Sequence, residues 1–160
     1  MQKNLLLSQQ ELITDINTAE IYLTFYIDNK LFAIPSKYII EILNVQKITY
    51  MPKLPHYVSG ITNIRGKIVP LIDLRLRLNL EAAPYTNQTC VIYSEINEFH
   101  VGYIVDNVND IAHIFEDQIG EPPKGGSSTP GYIKGTVMLN NKIAFILDIE
   151  YLISQDKDIV

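Results

Sequence analysis

Residues Lys67 to Asp73 read Lys-Ile-Val-Pro-Leu-Ile-Asp, and from Ile68 to Ile72 no side chain is polar. A strand of that kind cannot leave one face in water, because both of its faces carry apolar groups that need cover. The segment Gly60-Ile61-Thr62-Asn63-Ile64-Arg65-Gly66 leads into it, and Leu74-Arg75 follows. The arrangement recurs: Gly60, Lys67, Ile68 and Asp73 are matched by Gly135, Lys142, Ile143 and Asp148, each 75 positions further on. Such a repeat is too long for a solenoid unit and too short for two ordinary domains. It predicts two small, similar β units packed on each other, with approximate halves 21–80 and 88–154.

The rest of the chain reads consistently with that plan. Ile21, Leu23, Phe25 and Ile27 alternate with Tyr22, Thr24, Tyr26 and Asp28, the pattern of a strand buried on one face. Asp28-Asn29 makes a turn into Leu31-Phe32-Ala33-Ile34, and Pro35, lacking an N–H, stops the ladder. Ser36 can cap a helix over Lys37 to Leu43 that would put Ile39, Ile42 and Leu43 on one face, although the same isoleucines also suit a strand. The second half restarts with Cys90-Val91-Ile92-Tyr93, turns near Asn97-Glu98, and continues through Phe99 to Val105, before a further apolar stretch from Ile111 to Phe115. A last hairpin turns at Asn140-Asn141, and Asp148 can cap a short helix over Ile149 to Ser154. In all, about eight to ten strands with few helical residues are expected, a small barrel or sandwich architecture. Residues 1–20 read as a flexible N-terminal arm, 155–160 as a tail, and Lys124 to Gly131 as a flexible Gly/Ser-rich insertion.

Composition narrows the function. A net charge of −5 without a basic stripe argues against nucleic acid as a partner. No apolar run approaches membrane-spanning length and the N-terminus lacks the apolar core of a signal peptide, so a soluble, cytoplasmic protein with no direct membrane insertion is expected. His56, His100 and His113 are not spaced as metal ligands, and the single Cys90 reads as a buried, inert thiol. A Cys90–His100 nucleophile pair is conceivable on the two arms of one hairpin, but no group to orient the base or lower the thiol pKa is evident. Asp73 and Asp148 each follow an apolar strand, the position of a helix cap rather than of an acid–base pair. Neither Gly125-Gly126-Ser127 nor Gly66-Lys67 is a phosphate loop. No catalytic, cofactor-binding or metal-binding residue is assigned. Arg65, a planar multidentate cation at a turn between apolar segments, suits either an ordinary solvated turn or an anchor for a partner's carboxylates and carbonyls.

The order Leu31-Phe32-Ala33-Ile34-Pro35, Ile39-Ile40-Glu41-Ile42, Pro52 and Pro55, then Val58 through Arg75, resembles the CheW family of bacterial chemotaxis scaffold proteins. The similarity continues through Val101 to Val108, Ile119-Gly120-Glu121-Pro122-Pro123 and Tyr132-Ile133-Lys134-Gly135 to Ile146-Leu147-Asp148. It spans about residues 20 to 154. It implies a mostly β fold of two packed five-stranded SH3-like β barrels with short helices, in one CheW-like unit over residues 21–154. It also implies a non-enzymatic adaptor joining chemoreceptor cytoplasmic hairpin tips to the regulatory domain of the histidine kinase CheA, in arrays at the inner face of the membrane.

By the same resemblance, Ile39, Glu41 and Ile42 match the kinase-binding part of the first barrel. Gly60, Asn63, Ile64, Arg65 and Gly66 match the receptor-binding site, with Val105 and Val108 on the other wall of a groove between the barrels. Two alternatives stay open: a related adaptor serving another chemosensory pathway, controlling surface motility or a non-motility output, and a small-ligand β barrel or enzyme. The latter would need a cavity with convergent polar groups.

Overall fold

The computed structural model describes residues 19–123 and 131–158. Most of the expected N-terminal arm and residues 124–130 of the Gly/Ser-rich insertion lie outside them. Ten strands occur among the described residues: β1 Glu20–Ile27, β2 Lys30–Pro35, β3 Ile39–Asn44, β4 Val58–Ile64, β5 Lys67–Asp73, β6 Cys90–Ile96, β7 Phe99–Val105, β8 Asn107–Ile114, β9 Ile133–Leu139 and β10 Lys142–Leu147. Two helices follow the two repeat-related strands, α1 at Leu74–Arg77 and α2 at Ile149–Asp156. Asp73 and Asp148 cap them as expected, accepting from the backbone N–H of Arg75 and Tyr151 at 3.0 Å each. Helix α2 runs to Asp156, so the tail expected from residue 155 begins inside a helix.

The strands form two five-stranded barrels, ordered β8-β1-β2-β10-β9 and β3-β6-β7-β5-β4. The expected equation of one half with one barrel is therefore corrected. Hairpin β1–β2 leaves its own half and joins β8 to β10, while hairpin β6–β7 joins β3 to β5. The exchange is made by two parallel pairings, β2 with β10 and β5 with β7. The repeat survives it, because each barrel contains one hairpin from one half and three strands from the other.

This exchange explains why β1 is buried on both faces rather than one. Tyr22 sits inside the first barrel with Leu31, Ala33, Ile114, Val137, Ala144 and Ile146. Leu23, Phe25 and Ile27 face the seam between the barrels, packed with Ile72, Ile92, Tyr103, Leu147 and Leu152. Ile21, expected inside, is 42% exposed at the strand's start. The uninterrupted apolar run on β5 is also only partly buried. Val69 to Asp73 are covered, but Ile68 is 60% exposed beside the hairpin tip, as is its repeat mate Ile143 at 54%. The stretch expected to start at Ile111 is the outer half of a continuous β8.

The segment after Pro35 resolves the choice between helix and strand. Only Ser36–Tyr38 makes a single 3-10 turn, after which Ile39–Asn44 extend as β3 against β6. Period two replaces period 3.6, so Ile39 and Leu43 turn inward, whereas Ile40 and Ile42 turn out, 51% and 43% exposed. The common face expected for Ile39, Ile42 and Leu43 does not form.

Four two-residue hairpin turns carry positive φ at both positions: Asp28-Asn29, Arg65-Gly66, Asn97-Glu98 and Asn140-Asn141. These are the primed turns whose twist matches that of the flanking strands. The repeated glycines have a different task. A Cβ on Gly60 would stand 2.3 Å from the Thr49 carbonyl oxygen, and one on Gly135 would stand 2.9 Å from that of Gly120. At those points the loop strands bridge β4 and β9, Thr49 with Ile61 and Gly120 with Thr136, and help close each barrel. Only a residue without Cβ permits that approach.

One polar atom in the seam stands apart. The Tyr103 hydroxyl is fully buried and has no hydrogen-bond partner among the described residues, and burial, followed by the nearby Asp156 charge, pushes its pKa well above 10.0. Burial likewise pushes Tyr22 and Tyr85 up to about 12. Below pH 10 both folded and unfolded chains keep these protons. As pH rises past that point the unfolded chain releases them first, so stability falls. Tyr103→Phe is expected to raise the unfolding free energy by about 1 kcal/mol at neutral pH, since it removes an unsatisfied buried group while keeping the ring. It should also flatten the loss between pH 10 and 12. Thermal unfolding of both proteins across that range measures it, and a destabilised variant would mean the hydroxyl is satisfied in solution.

Candidate functional site

Arg65 is an exposed cation at the tip of the β4–β5 hairpin. Its turn is held by Asn63, whose Oδ1 accepts from the Gly66 N–H at 2.9 Å, and Gly66 takes φ +87°. Arg65 itself is at φ +51°, a conformation that favours glycine, asparagine and aspartate. The other three turns place Asp28, Asn97 and Asn140 at the corresponding first position. An arginine there carries a backbone cost that the asparagines and aspartate at the same position of the other three turns largely avoid.

That side chain reaches across the closing edge of the second barrel to β3. Nε and Nη2 of Arg65 donate to Oε2 and Oε1 of Glu41 at 3.0 and 2.7 Å, a bidentate fork. The Arg65 side chain is 77% exposed even so. Hydrogen bonding from Arg65 holds the Glu41 carboxyl below the usual carboxylate range, and the same bond raises Arg65. Leu43, Gln46, Asn63 and Ile64 line the shallow depression between the two charged groups. Nearby, Thr62 Oγ1 donates to the Lys47 carbonyl at 2.9 Å, tying β4 to the loop that follows β3.

A second cluster flanks the same hairpin. His100 lies between Tyr93, at 2.7 Å from Nδ1, and Lys67, at 3.3 Å from Nε2, with Glu95 3.6 Å away. Burial, then Glu95 and Glu41, raises the Tyr93 hydroxyl.

The sequence-assigned residues thus separate by access. Asn63, Arg65 and Gly66 are open to solvent at one tip, and Glu41, assigned to the other surface, is joined to them. Ile42 is open on the outer face of β3, and Ile40, which the assignment left out, is more exposed still. Ile39 packs against the seam core instead. Gly60 is buried, and the close approach it permits is by Thr49 of its own chain. Ile64 is 8% exposed, inside the second barrel with Val69 and Tyr93. Val105 is 2% exposed in the seam core, so it is corrected from a groove-wall contact to a core residue. Val108 lies on β8 of the first barrel, half-buried against that core. Period-two alternation along β3 was the signal that would have brought Ile40 forward.

The conceivable Cys90–His100 pair does not come together. Cys90 pairs with Val105 in the β6–β7 register, whereas His100 pairs with Glu95 near the other end of that hairpin. The Cys90 thiol donates to the Gln88 carbonyl. Among the described residues no group of three or more His, Cys, Asp or Glu is placed to hold a metal ion. No helix among them is long and apolar enough to cross a membrane.

Comparison with known proteins places these features in context. The family model described as CheW-like domain matches residues 22–157. The chemotaxis protein CheW of Bacillus subtilis (strain 168) is 32% identical over 143 residues, 89% of this chain and 92% of that protein. The protein of the same description from Klebsiella aerogenes is 30% identical over 137 residues, 85% of this chain and 82% of its own. The crystal structure of the scaffolding protein TtCheW from Thermoanaerobacter tengcongensis superposes with a TM-score of 0.76 at 27% identity, covering 81% of this chain and 89% of that one.

Proposed function

The chain belongs to the CheW-like domain family, and from that membership we propose that it is a non-enzymatic chemotaxis adaptor, coupling chemoreceptor cytoplasmic tips to the regulatory domain of the histidine kinase CheA. It would act in the cytoplasm, held beneath the membrane through the receptors. The observation that carries the residue assignment is the exposed Arg65–Glu41 fork, beside the outward isoleucines of β3. An apolar strip rimmed by a charge suits a barrel-to-barrel contact, where the isoleucines exclude water and Glu41 fixes register. A forked cation on a rigid turn suits the carbonyls and carboxylates at the end of a helical hairpin.

The kinase-facing group is Ile40, Glu41 and Ile42, and the receptor-facing group is Asn63, Arg65 and Gly66. Because Glu41 and Arg65 hold each other, the two surfaces share one ion pair. A partner that engages either residue acts on the other's surroundings.

Titration of the protein against the kinase regulatory domain and, separately, a receptor tip fragment tests the proposal; binding to neither sinks it. Within that assay, Ile42→Asp is expected to weaken the kinase domain at least about tenfold. It should leave the melting midpoint and receptor-tip binding unchanged. Ile39→Asp is expected instead to lower the melting midpoint, because its side chain packs on the seam core. If Ile42→Asp binds the kinase domain as wild type does, the outer face of β3 is not the contact.

A further inference from the structure

The two barrels meet over a broad apolar seam, and among the described residues a buried charged cluster interrupts it; a second, more exposed one joins Arg75 to Asp106 and Asp28. Arg77 of α1 is 7% exposed, and Asp156 at the end of α2 is 1% exposed. Arg77 Nε donates to Asp156 Oδ2 at 3.2 Å, and its Nη1 lies 2.7 Å from the Tyr132 hydroxyl. The Tyr57 hydroxyl donates to Asp156 Oδ1 at 3.1 Å. The guanidinium is sandwiched, its central carbon 4.7 Å from the Tyr57 ring and 4.6 Å from the Tyr132 ring.

Those two tyrosines are themselves repeat mates, 75 positions apart, and each backbone carbonyl accepts from the cap of its own helix, Asp73 for Tyr57 and Asp148 for Tyr132. Arg77 therefore sits where the two halves of the repeat face each other. Its own repeat mate is Leu152, fully buried in the apolar seam. One barrel contributes Arg77 and Tyr57, the other Tyr132 and Asp156.

We propose that Arg77 is a positioning residue for the whole molecule: the Arg77–Asp156–Tyr57–Tyr132 cluster fixes the relative orientation of two barrels that the apolar seam alone would hold together but leave free to settle in several arrangements. Apolar packing is non-directional, whereas a guanidinium held between two rings, with one N–H on a carboxylate and another on a hydroxyl, accepts one geometry. A buried ion pair adds little cohesion over well-packed hydrophobic residues, so definition of geometry is the role left to it. The inference rests on the fold and not on the adaptor reading.

The test is pulsed electron-spin distance measurement on the full chain, with Cys90→Ser and spin labels at Ile42→Cys on the second barrel and Ile143→Cys on the first. Both label sites are exposed. Arg77→Leu with Asp156→Leu, which extends the Leu152 solution to both sides, is expected to stay folded and to broaden the inter-barrel distance distribution at least about twofold. A folded double variant with an unchanged distribution overturns the proposal. Should that variant fail to fold, Tyr132→Phe decides, since it keeps the ring and removes only the hydrogen bond from Arg77. Broadening in it supports the proposal, and a distribution as narrow as that of the parent overturns it.

Discussion

Alanine at position 60 is expected to cost about 3 kcal/mol of unfolding free energy, which lowers the melting midpoint by about 6–12 °C for a chain of this size. Two effects add. The residue adopts φ +148°, which L side chains rarely take, and its new Cβ would stand 2.3 Å from the Thr49 carbonyl oxygen, a backbone atom with no rotamer to change. Relief requires the loop before β4 to lift, breaking the reciprocal Thr49–Ile61 hydrogen bonds of 2.8 and 2.9 Å and opening the second barrel at its closure. Calorimetry of the wild type and variant measures the loss. A midpoint shift below about 2 °C would mean that the bridge is dispensable for barrel closure.

Asparagine at position 65 is expected to separate folding from binding. At φ +51° asparagine is among the best-tolerated residues, and it already occupies the same turn position at Asn97 and Asn140. The fork to Glu41 is lost, but it lies in solvent, where ion pairs contribute little to stability. The melting midpoint of Arg65→Asn should therefore stay within about 2 °C of the parent. Receptor-tip affinity, measured by calorimetric titration, is expected to fall at least about tenfold, because asparagine reaches neither the distance nor the geometry of a guanidinium. Unchanged affinity removes Arg65 from the receptor surface. The asparagine variant separates the two effects better than alanine, which would remove the side chain while leaving the backbone cost in place.

How far the sequence discloses this molecule depends on how local each cause is. The turns at Asp28-Asn29, Asn97-Glu98 and Asn140-Asn141 were legible because the residues that tolerate positive φ are few. The caps at Asp73 and Asp148 were legible because a carboxylate after an apolar strand has an immediate backbone N–H to meet. Which strand lies beside which was not legible: nothing in β1 or β2 indicates that they pair into the C-terminal strands. Burial on both faces through the middle of β1 follows only from that long-range choice. The isoleucines of β3 were ambiguous for a related reason, since β-branched residues suit helix poorly and strand well, and contact with β6 decides. At the candidate site, the exposed arginine and glycine of the hairpin could be read directly. The bond between Arg65 and Glu41, and the concealment of Ile64, Val105 and Gly60, depend on barrel closure. The significance of Arg77 was invisible because its partners come from three segments that only the folded seam assembles.

The exchange of hairpins between the halves also sets an order in time. As the chain is synthesised from its N-terminus, β1 and β2 emerge first, carrying Phe25 and Phe32, and their barrel cannot form until β8, β9 and β10 have followed. The second barrel has all its strands once Val105 is out, so it has the means to fold while the first hairpin still waits. At ribosomal rates of about 5–20 residues per second, the interval until Leu147 emerges lasts on the order of seconds. During that interval two unpaired strands with aromatic faces are exposed to every other nascent chain. Long-range pairing of this kind also slows folding after release. For this protein the vulnerable moment is birth rather than maturity.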